Sequence, residues 1–409
     1  MILINEKNTA RMSVNELKKY RHKKSILRLL YDNDPLSAPE LSKLIGISLP
    51  TVLLLLNDLI NTDLVTTMGT GASTGGRKPA LYGLSNESLF VIACDMGRYE
   101  SKITIYNSHN QQVTPVKYFD THIDDEMVVE KIFAAADELI RDFHIPREKI
   151  FGVGVDMPGL VDSQAGTNFT IKNARMQNIR ERLEKQFGYF VYIDNDARMQ
   201  AFGEYMFGKA RDKNNAIVVN WSWGVGMGMI LNGQLYGGAT GFAGELSHIQ
   251  MAEEGDLCIC GKRGCLETVA SANTMLRLAK QGIEQGSVTQ LAMQFKDSPD
   301  EITPEHIIAA ARAGDEFSIA ILTKIGLSLG KGLSIIIQLM NPEMIVLGGP
   351  IAKAQKYVLT PIQQALNKYC LDKIVANIEI ETSDIDEYSG LLGSAAMVYQ
   401  HLFSDQSAL

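Results

Sequence analysis

The sequence lacks the features of a membrane protein or a secreted protein. No run of about 18 uninterrupted apolar residues occurs, which is roughly what a membrane-spanning helix requires. The start, from Met1 to Lys7, has neither the long apolar stretch nor the small-residue cleavage site of a secretory signal. Cysteine is scarce: there are five, and three of them lie at positions 258, 260 and 265. An odd, clustered set argues against a disulfide framework, so we expect a cytoplasmic protein with reduced thiols and no membrane partner.

Positive charge is also scarce, except at one end of the chain. The net charge is −8 over 409 residues, yet residues 1–80 carry +4 and the remainder carries −12. This asymmetry is expected when only the N-terminal end meets phosphate, although chance variation on solvated surfaces gives the same pattern. Hydrophobic residues make up 45% of the chain, which is ordinary for a globular protein, and the length suggests two or three domains.

The N-terminal segment has the signals of a helix-turn-helix. Residues 24–32 carry apolar side chains at helical spacing. Ser37 and Glu40 have the spacing of a capping box at the start of a second short helix, which Gly46 ends. Ser48 caps a third helix, whose apolar stripe consists of Val52, Leu55, Leu56 and Leu59. Two short helices joined by a glycine-containing turn predict a helix-turn-helix.

Two short strands are predicted after the third helix, at residues 64–67 and 80–84, and they flank a glycine-rich loop. The loop ends in Arg77 and Lys78, and a loop of this kind brings cations close to a phosphate backbone or a minor groove. A plain interdomain linker is the alternative, but behind a helix-turn-helix we favour a wing that contacts DNA. We therefore expect residues 1–84 to form a winged helix-turn-helix domain that binds operator DNA.

The residues expected to contact DNA lie on the outward face of the third helix and in the wing: Ser48, Thr51, Leu53, Leu54, Asn57, Arg77 and Lys78. Two of them are leucines and the acidic Asp58 follows, so this face offers poor partners for phosphate. Thymine methyl groups accept leucine side chains, but the same surface also suits a protein partner.

From residue 88 onward, the pattern changes to strands that alternate with helices. A first series starts with a strand at 90–95, and a second series starts with a strand at 216–221. No short tandem repeat occurs. Two successive α/β series predict a duplicated α/β domain over residues 85–409, with lobes at about 85–195 and 196–409 and a cleft between them.

The sharpest chemical signal is the segment 258–265, which reads Cys-Ile-Cys-Gly-Lys-Arg-Gly-Cys. In an extended chain Cys258 and Cys260 project to the same face, and the two glycines allow the chain to turn and bring Cys265 back. His248 supplies a fourth ligand, so three thiolates and one imidazole predict a closed tetrahedral Zn²⁺ site that is structural rather than catalytic. Three free, buried thiols are the alternative.

Several motifs resemble the ROK family, which comprises repressors, open-reading-frame proteins and sugar kinases. The motifs are residues 244–248 (Gly-Glu-Leu-Ser-His), 258–267 and 194–197 (Asp-Asn-Asp-Ala), with further matches at 155–162 and 345–350. The N-terminal winged helix-turn-helix is similar to that of the NagC/XylR type of transcriptional regulator. The resemblance implies an actin/hexokinase-like (ribonuclease H-like) fold in two lobes, a homodimer or tetramer, and a sugar or sugar derivative in the cleft.

The resemblance also implies which side chains hold the sugar: Asn195, Asp196, Glu245, His248 and Glu267. Carboxylates and amides discriminate patterns of hydroxyl groups, and leaving such groups unpaired in a cleft is costly. A zinc ion bound nearby would also orient Glu245 and Glu267, because both are close in sequence to its ligands.

The phosphate side of the cleft separates a kinase from a regulator. In kinases of this family the counterpart of Asp196 is the general base, so its presence keeps catalysis open. Such kinases begin the domain with Asp-x-Gly-Gly-Thr, whereas residues 95–100 read Asp-Met-Gly-Arg-Tyr-Glu. Their second phosphate loop, Gly-Thr-Gly-x-Gly, is replaced by Ser-Trp-Gly-Val-Gly at 222–226. We therefore expect no enzymatic activity, although Arg98 is placed to hold the phosphate of a sugar phosphate.

These observations predict a sugar-responsive transcriptional regulator of carbohydrate metabolism, with a repressor as the expected type. A sugar or sugar-phosphate effector closes the cleft and changes the affinity for operator DNA. An ATP-dependent sugar kinase of the ROK family is the competing enzyme, favoured by Asp196 and by the Gly-Gly pair at 348–349. A sugar-binding oligomer whose third helix contacts protein is a further alternative, which strongly salt-dependent DNA binding would exclude.

Overall fold

The computed structural model describes residues 12–33, 35–71 and 78–403, with the backbone alone at Arg175 and Asp386. The tip of the predicted wing, including Arg77, lies outside the described residues. The chain divides into two compact units, one formed by Met1–Asp194 with Ser394–Leu409 and the other by Asn195–Gly393.

The first unit begins with a helical bundle and a small antiparallel sheet. Its strands lie in the order β1-β3-β2. Ser37 and Glu40 form the predicted capping box, and Ser48 caps the third helix. The elements are α1 (Val14–Asp32), β1 (Leu36–Ser37), α2 (Ala38–Ile45), α3 (Leu49–Asn61), β2 (Val65–Thr70) and β3 (Ala80–Leu84). The predicted winged helix-turn-helix is confirmed.

The remainder of the first unit is an α/β lobe. Its five-stranded sheet has the order β10-β7-β4-β5-β6, in which β4 pairs antiparallel with β5 and parallel with β7. The amphipathic α4 packs its apolar face into the core of this lobe. The elements are β4 (Phe90–Asp95), β5 (Glu100–Asn107), β6 (Lys117–Asp120), α4 (Val128–Asp142), β7 (Ile150–Met157), β8 (Val161–Asp162), β9 (Thr167–Asn168), α5 (Ile179–Phe187) and β10 (Phe190–Asn195).

The second unit repeats this arrangement. Its sheet has the order β13-β12-β11-β14-β15: three antiparallel strands in sequence, then two further strands on the other side of the first. The repeat confirms the predicted duplication. The elements are α6 (Asp196–Phe207), β11 (Ala216–Trp221), β12 (Val225–Leu231), β13 (Gln234–Leu235), α7 (Glu267–Ala270), α8 (Ala272–Glu284), α9 (Gln290–Phe295), α10 (Pro304–Arg312), α11 (Glu316–Met340), β14 (Met344–Gly348), α12 (Lys356–Tyr369), α13 (Asp372–Val375) and β15 (Glu379–Thr382).

Helix α11 is the core helix of the second unit. A Cβ at Gly330 would lie 2.7 Å from the Cβ of Ala365, so α11 and α12 approach closely. A Cβ at Gly332 would lie 2.6 Å from a methyl carbon of the wholly buried Leu266. By length and composition alone α11 would suffice to cross a bilayer, but 56% of its most apolar window is buried inside the protein, as expected for a core helix.

The winged helix-turn-helix shares a core with the lobe that follows it. The final helix, α14 (Ser389–Phe403), places its C-terminal half in the first unit. The ring of Tyr31, near the end of α1, lies 5.1 Å from that of Tyr399 and 5.8 Å from that of Phe403. The Tyr31 hydroxyl donates to Oδ1 of Asn110 at 2.9 Å, and burial raises the pKa of Tyr31 well above its usual range.

Candidate functional site

The predicted metal ligands come together in the second unit. The ligand atoms of His248, Cys258, Cys260 and Cys265 all lie within 4.8 Å of one another. Cys258 Sγ is 3.6 Å from His248 Nδ1, and Cys260 Sγ is 3.6 Å from Cys265 Sγ. In a tetrahedral site with Zn–S bonds of about 2.3 Å, ligand atoms are separated by about 3.7 Å. The donor set and its spacing therefore suit a single tetrahedral metal ion.

Backbone pairing builds this cluster. Residues 249–252 run beside 263–266 and exchange N–H···O bonds of 2.7 and 2.9 Å, which returns Cys265 to the imidazole. Gly264 makes the return possible: its φ is +72°, and a Cβ there would lie 1.8 Å from the carbonyl oxygen of Ala252. The predicted role of this glycine in turning the chain agrees with its geometry.

The thiols of the cluster differ in acidity. Burial raises the pKa of Cys258 and raises that of Cys265 to about 12, whereas the backbone N–H of Lys262 lowers the pKa of Cys260. Metal ions bind thiolates, so uptake of an ion at these residues releases protons.

Two carboxylates lie beside the cluster. Glu245 Oε2 is 3.8 Å from His248 Nε2, the ring nitrogen that does not face Cys258. Burial raises the pKa of Glu245; His248 opposes this shift, whereas Glu267 adds to it. Glu267 begins α7, and its Oε2 would lie 2.7 Å from a Cβ placed at Gly224. The imidazole of His248 thus directs Nδ1 towards Cys258 of the cluster and Nε2 towards the carboxylate of Glu245.

Asn195 and Asp196 lie where β10 ends and α6 begins. Oδ1 of Asn195 accepts the N–H groups of Ala197 at 3.0 Å and Arg198 at 3.2 Å, so this side chain caps α6. Asp196 Oδ1 accepts the Ala197 N–H at 2.9 Å, and its Oδ2 accepts from Nδ2 of Asn220 at 3.4 Å. The N-terminus of α6 stabilises the negative charge of Asp196.

Strand β11 and the turn that follows it contact both groups of side chains. Asn220, on β11, binds Asp196, and Gly224 in the turn lies against Glu267. Trp223 is 38% exposed, and its carbonyl oxygen accepts from Nδ2 of Asn273 at 2.9 Å. An indole therefore stands in this turn, where the kinases of the predicted family have a small hydroxyl side chain.

The corresponding turn of the first unit, at residues 95–100, is tight. A Cβ at Gly97 would lie 2.0 Å from the carbonyl oxygen of Glu100. Asp95 Oδ2 lies 3.0 Å from Nζ of Lys102. Burial alone would lower the pKa of Lys102, but the Asp95 carboxylate raises it overall. Asp95 is thus paired within its own lobe, and the neighbouring Arg98 is half-buried.

The predicted DNA contacts of the first unit divide into two groups. Ser48 and Thr51 bind each other through their hydroxyl groups at 2.7 Å, at the start of α3. The other described members are exposed: Leu53, Leu54, Asn57 and Lys78. Asp58 follows Asn57, and its negative charge was expected to disfavour contact with DNA phosphates. In the structure it forms an ion pair with Lys23 of α1 at 3.0 Å.

Comparison with known proteins places these features in a family. The ROK family profile matches residues 91–401, which is more than half of the chain. The chain belongs to the ROK family. A winged helix-turn-helix DNA-binding profile matches residues 21–66, as in the regulator branch predicted from the motifs.

Relatives of the ROK regulator branch match nearly the whole chain. The xylose repressor of Caldicellulosiruptor bescii is 29% identical over 401 residues, which is 96% of this chain and 99% of the repressor. A crystal structure of a ROK family transcriptional regulator, a homologue of the E. coli Mlc protein, matches with a TM-score of 0.80 at 25% identity, covering 94% of this chain and 97% of that one. A glucokinase of Halalkalibacterium halodurans is 31% identical over 277 residues, which is 67% of this chain and 84% of the enzyme. The predicted fold class and regulator branch are confirmed.

Three polar partners in this ROK protein were not found from the sequence. They are Asn220, which binds Asp196; Asn273, which binds the turn at Trp223; and Lys23, which neutralises Asp58. Asn220 had a signal, because it interrupts the apolar strand β11 one residue before its end. The other two are single polar residues on helices, and only their neighbours in space give them a role.

Proposed function

We propose that this protein is a sugar-responsive transcriptional regulator, with a repressor as the expected type. It binds operator DNA through the winged helix-turn-helix and a sugar or sugar phosphate through residues of the second unit. The observation that supports this most strongly is a DNA-binding fold that shares its core with a ROK lobe through Tyr31 and α14. We place the domain boundary near residue 84 and the division between the lobes near residue 195, with the C-terminal half of α14 returning to the first lobe.

The proposed sugar contacts are Asn195, Asp196, Glu245, His248 and Glu267. Asp196 contacts Asn220 of β11, Glu267 lies against Gly224 in the turn that follows β11, and Glu245 lies near the imidazole of His248. Carboxylates accept hydrogen bonds from sugar hydroxyl groups, and each unpaired buried acceptor penalises a ligand that lacks the matching hydroxyl. This arrangement favours a ligand with several adjacent hydroxyl groups.

The proposed metal is a structural Zn²⁺ ion held by His248, Cys258, Cys260 and Cys265. Four protein ligands complete the tetrahedron, so no position is left for a substrate or a reactive water. When bound, the ion supplies a fixed crosslink between the loop at residue 248 and the loop at 258–265. Through Nε2 of the same imidazole it would also hold Glu245 in place.

The proposed absence of kinase activity rests on the two turns that would meet ATP. Trp223 and the segment 95–100 replace the small residues that let backbone N–H groups approach phosphates. A sugar kinase remains the second candidate, because Asp196 lies at the N-terminus of α6 with Asn220 as its partner.

The proposed mechanism couples the two ligands in a cytoplasmic homodimer or tetramer. DNA contacts are made by Ser48, Thr51, Leu53, Leu54, Asn57, Arg77 and Lys78. Such couplings are typically worth about 1–3 kcal/mol, so a bound effector should change operator affinity by roughly 5- to 150-fold.

A panel of sugars tests both candidates. Hexoses, N-acetylhexosamines, pentoses and their phosphates are screened for thermal stabilisation of the full-length protein and for ATP-dependent phosphorylation. A regulator is stabilised by one class of sugar without turnover, and that sugar changes the affinity for duplexes that the protein selects from a random pool. Turnover that the Asp196→Asn variant abolishes would identify a kinase instead. Operator affinity that no stabilising sugar changes would refute the coupling.

A further inference from the structure

The outward face of α3 carries a short, uncharged stripe. Pro50, Leu53, Leu54 and Asn57 occur at helical spacing and lie opposite the buried stripe of the same helix. Leu53 is 40% exposed and Leu54 is 52% exposed. Two large apolar side chains are therefore exposed to solvent at the middle of α3. This is the second helix of the helix-turn-helix, the one that enters the major groove in proteins with this motif.

The charged and hydroxyl side chains that flank this stripe already have partners within the protein, so they add little to base recognition. Asp58 is paired with Lys23 of α1 at 3.0 Å, and the Thr51 hydroxyl is bound to that of Ser48 at 2.7 Å. Helix α3 contains no lysine or arginine. Asn57 is thus the member of the stripe that offers hydrogen bonds to a base edge.

The base edges of the major groove differ in what they offer such a stripe. Guanine is usually read by arginine or lysine, which α3 lacks, whereas adenine is read by the amide of asparagine or glutamine. Thymine is the base that presents an apolar group, its C5 methyl, and leucine side chains exclude water from it. Adenine and thymine form one base pair, so consecutive A·T pairs present both groups side by side. The amide of Asn57 suits an adenine, and the two leucines suit the methyl groups of neighbouring thymines.

We propose that α3 reads a run of A·T pairs, with Leu53 and Leu54 on thymine methyl groups and Asn57 on adenine. This inference rests on the proposed function, since it requires that α3 enters DNA. The positive end of the chain supports DNA over a protein partner: residues 1–80 carry +4, and both Lys43 of α2 and Lys78 before β3 are exposed. Cations bind the phosphates, and the uncharged stripe supplies the sequence preference.

Deoxyuridine provides a direct test, because it differs from thymidine only by the missing C5 methyl. The full-length protein first selects duplexes from a random-sequence pool. The selected site is then resynthesised with deoxyuridine at each thymidine, and dissociation constants are measured by fluorescence anisotropy. Each buried methyl group should be worth about a fourfold change in affinity (about 0.8 kcal/mol at about 1.4 kcal/mol per tenfold).

Variants show whether the leucines carry this effect. Leu53→Ala and Leu54→Ala should bind the thymidine and deoxyuridine duplexes with more nearly equal affinity, because the alanine side chain no longer reaches the methyl group. Leu44→Ala is the matched control: Leu44 is 58% exposed on α2, outside the stripe, so this variant should keep the full difference. All three leucines are exposed, so their replacement should leave the fold intact.

The outcomes separate the inference from the proposed function. A selected site with A·T runs, whose affinity deoxyuridine weakens more in the wild type than in Leu53→Ala or Leu54→Ala, supports the inference. A site centred on G·C pairs, or one insensitive to deoxyuridine, overturns the inference but leaves DNA binding standing. A protein that selects no sequence and binds no duplex at low salt overturns the proposed function as well, and the leucines would then belong to a protein interface.

Discussion

Gly224→Ala is expected to remove most of the sugar affinity while leaving the fold intact. The new Cβ would lie 2.7 Å from Glu267 Oε2, and ordinary contact begins at 3.4 Å, so the carboxylate must retreat by about 0.7 Å. Gly224 does not have a positive φ, so alanine fits the backbone, and the atom that must move is the free end of a flexible side chain. A retreat of this size lengthens a hydrogen bond beyond its useful range.

The expected loss follows from the charge of the acceptor. A hydrogen bond to an ionised group contributes about 1.5–3 kcal/mol, so sugar affinity should fall roughly 10- to 150-fold. Isothermal titration with the sugar found in the thermal screen measures this loss, and a thermal melt without sugar checks that the fold survives. Glu267→Ala should cost at least as much affinity as Gly224→Ala.

A double-mutant cycle decides whether the effect passes through Glu267. In the Glu267→Ala background, Gly224→Ala should change sugar affinity by little, because the displaced carboxylate is already absent. If Gly224→Ala weakens binding equally in both backgrounds, or leaves binding unchanged in the wild type, the carboxylate does not bind sugar from the position seen beside the turn.

Further predictions concern the stability of each unit. Tyr31→Phe should lower the free energy of unfolding of the first unit by about 1 kcal/mol, the usual net value of a hydrogen bond such as the one to Asn110, and urea denaturation measures this loss. In a double-mutant cycle, Tyr31→Phe should cost less in the Asn110→Ala background than in the wild type, and an equal cost in both backgrounds would contradict the pairing. Asp315 caps α11, and its pKa is lowered, since hydrogen bonds to its carboxylate outweigh burial, which alone would raise it. Its contribution should therefore be complete above the unfolded pKa of about 3.9 and disappear as the pH falls through the folded value, so Asp315→Asn should flatten the acid side of a stability–pH curve. Cys260→Ser should lower both the amount of bound zinc, measured by elemental analysis, and the melting temperature. Cys370 lies outside the cluster, so Cys370→Ser should change neither. Equal metal content in the two variants would refute the assignment of ligands.

The sequence predicted best where one local rule determines structure. Ser37, Glu40 and Ser48 cap α2 and α3 as their spacing predicted, and α14 has the predicted bounds. Helix α1 was predicted from residue 24, but it begins at Val14, because Ser13 and Glu16 form a further capping box ahead of a polar, exposed first half. Apolar periodicity could not show that half, since few of its side chains are buried.

The metal-binding cluster was predictable from the sequence, whereas the predicted sugar and DNA contacts stay predictions. The cysteine spacing identified the cluster, because glycines at fixed positions leave few ways to fold the segment. Asn195 was predicted as a sugar contact, and whether it is one stays a prediction; its oxygen caps α6. The paired state of Asp58 could not be predicted, because Lys23 reaches it from a helix 35 positions earlier in the chain.

Leu266 lies in the chain between Cys265, a proposed metal ligand, and Glu267, a proposed sugar contact. Its side chain is wholly buried, and Gly332 of α11 leaves it just enough room. The buried leucine therefore anchors the backbone between these two residues to the core helix, whether or not a metal ion is bound. We expect loss of the metal ion to move the Glu267 carboxylate less than it moves the cysteine loop, so an altered cysteine loop should change which sugar is preferred before it abolishes binding.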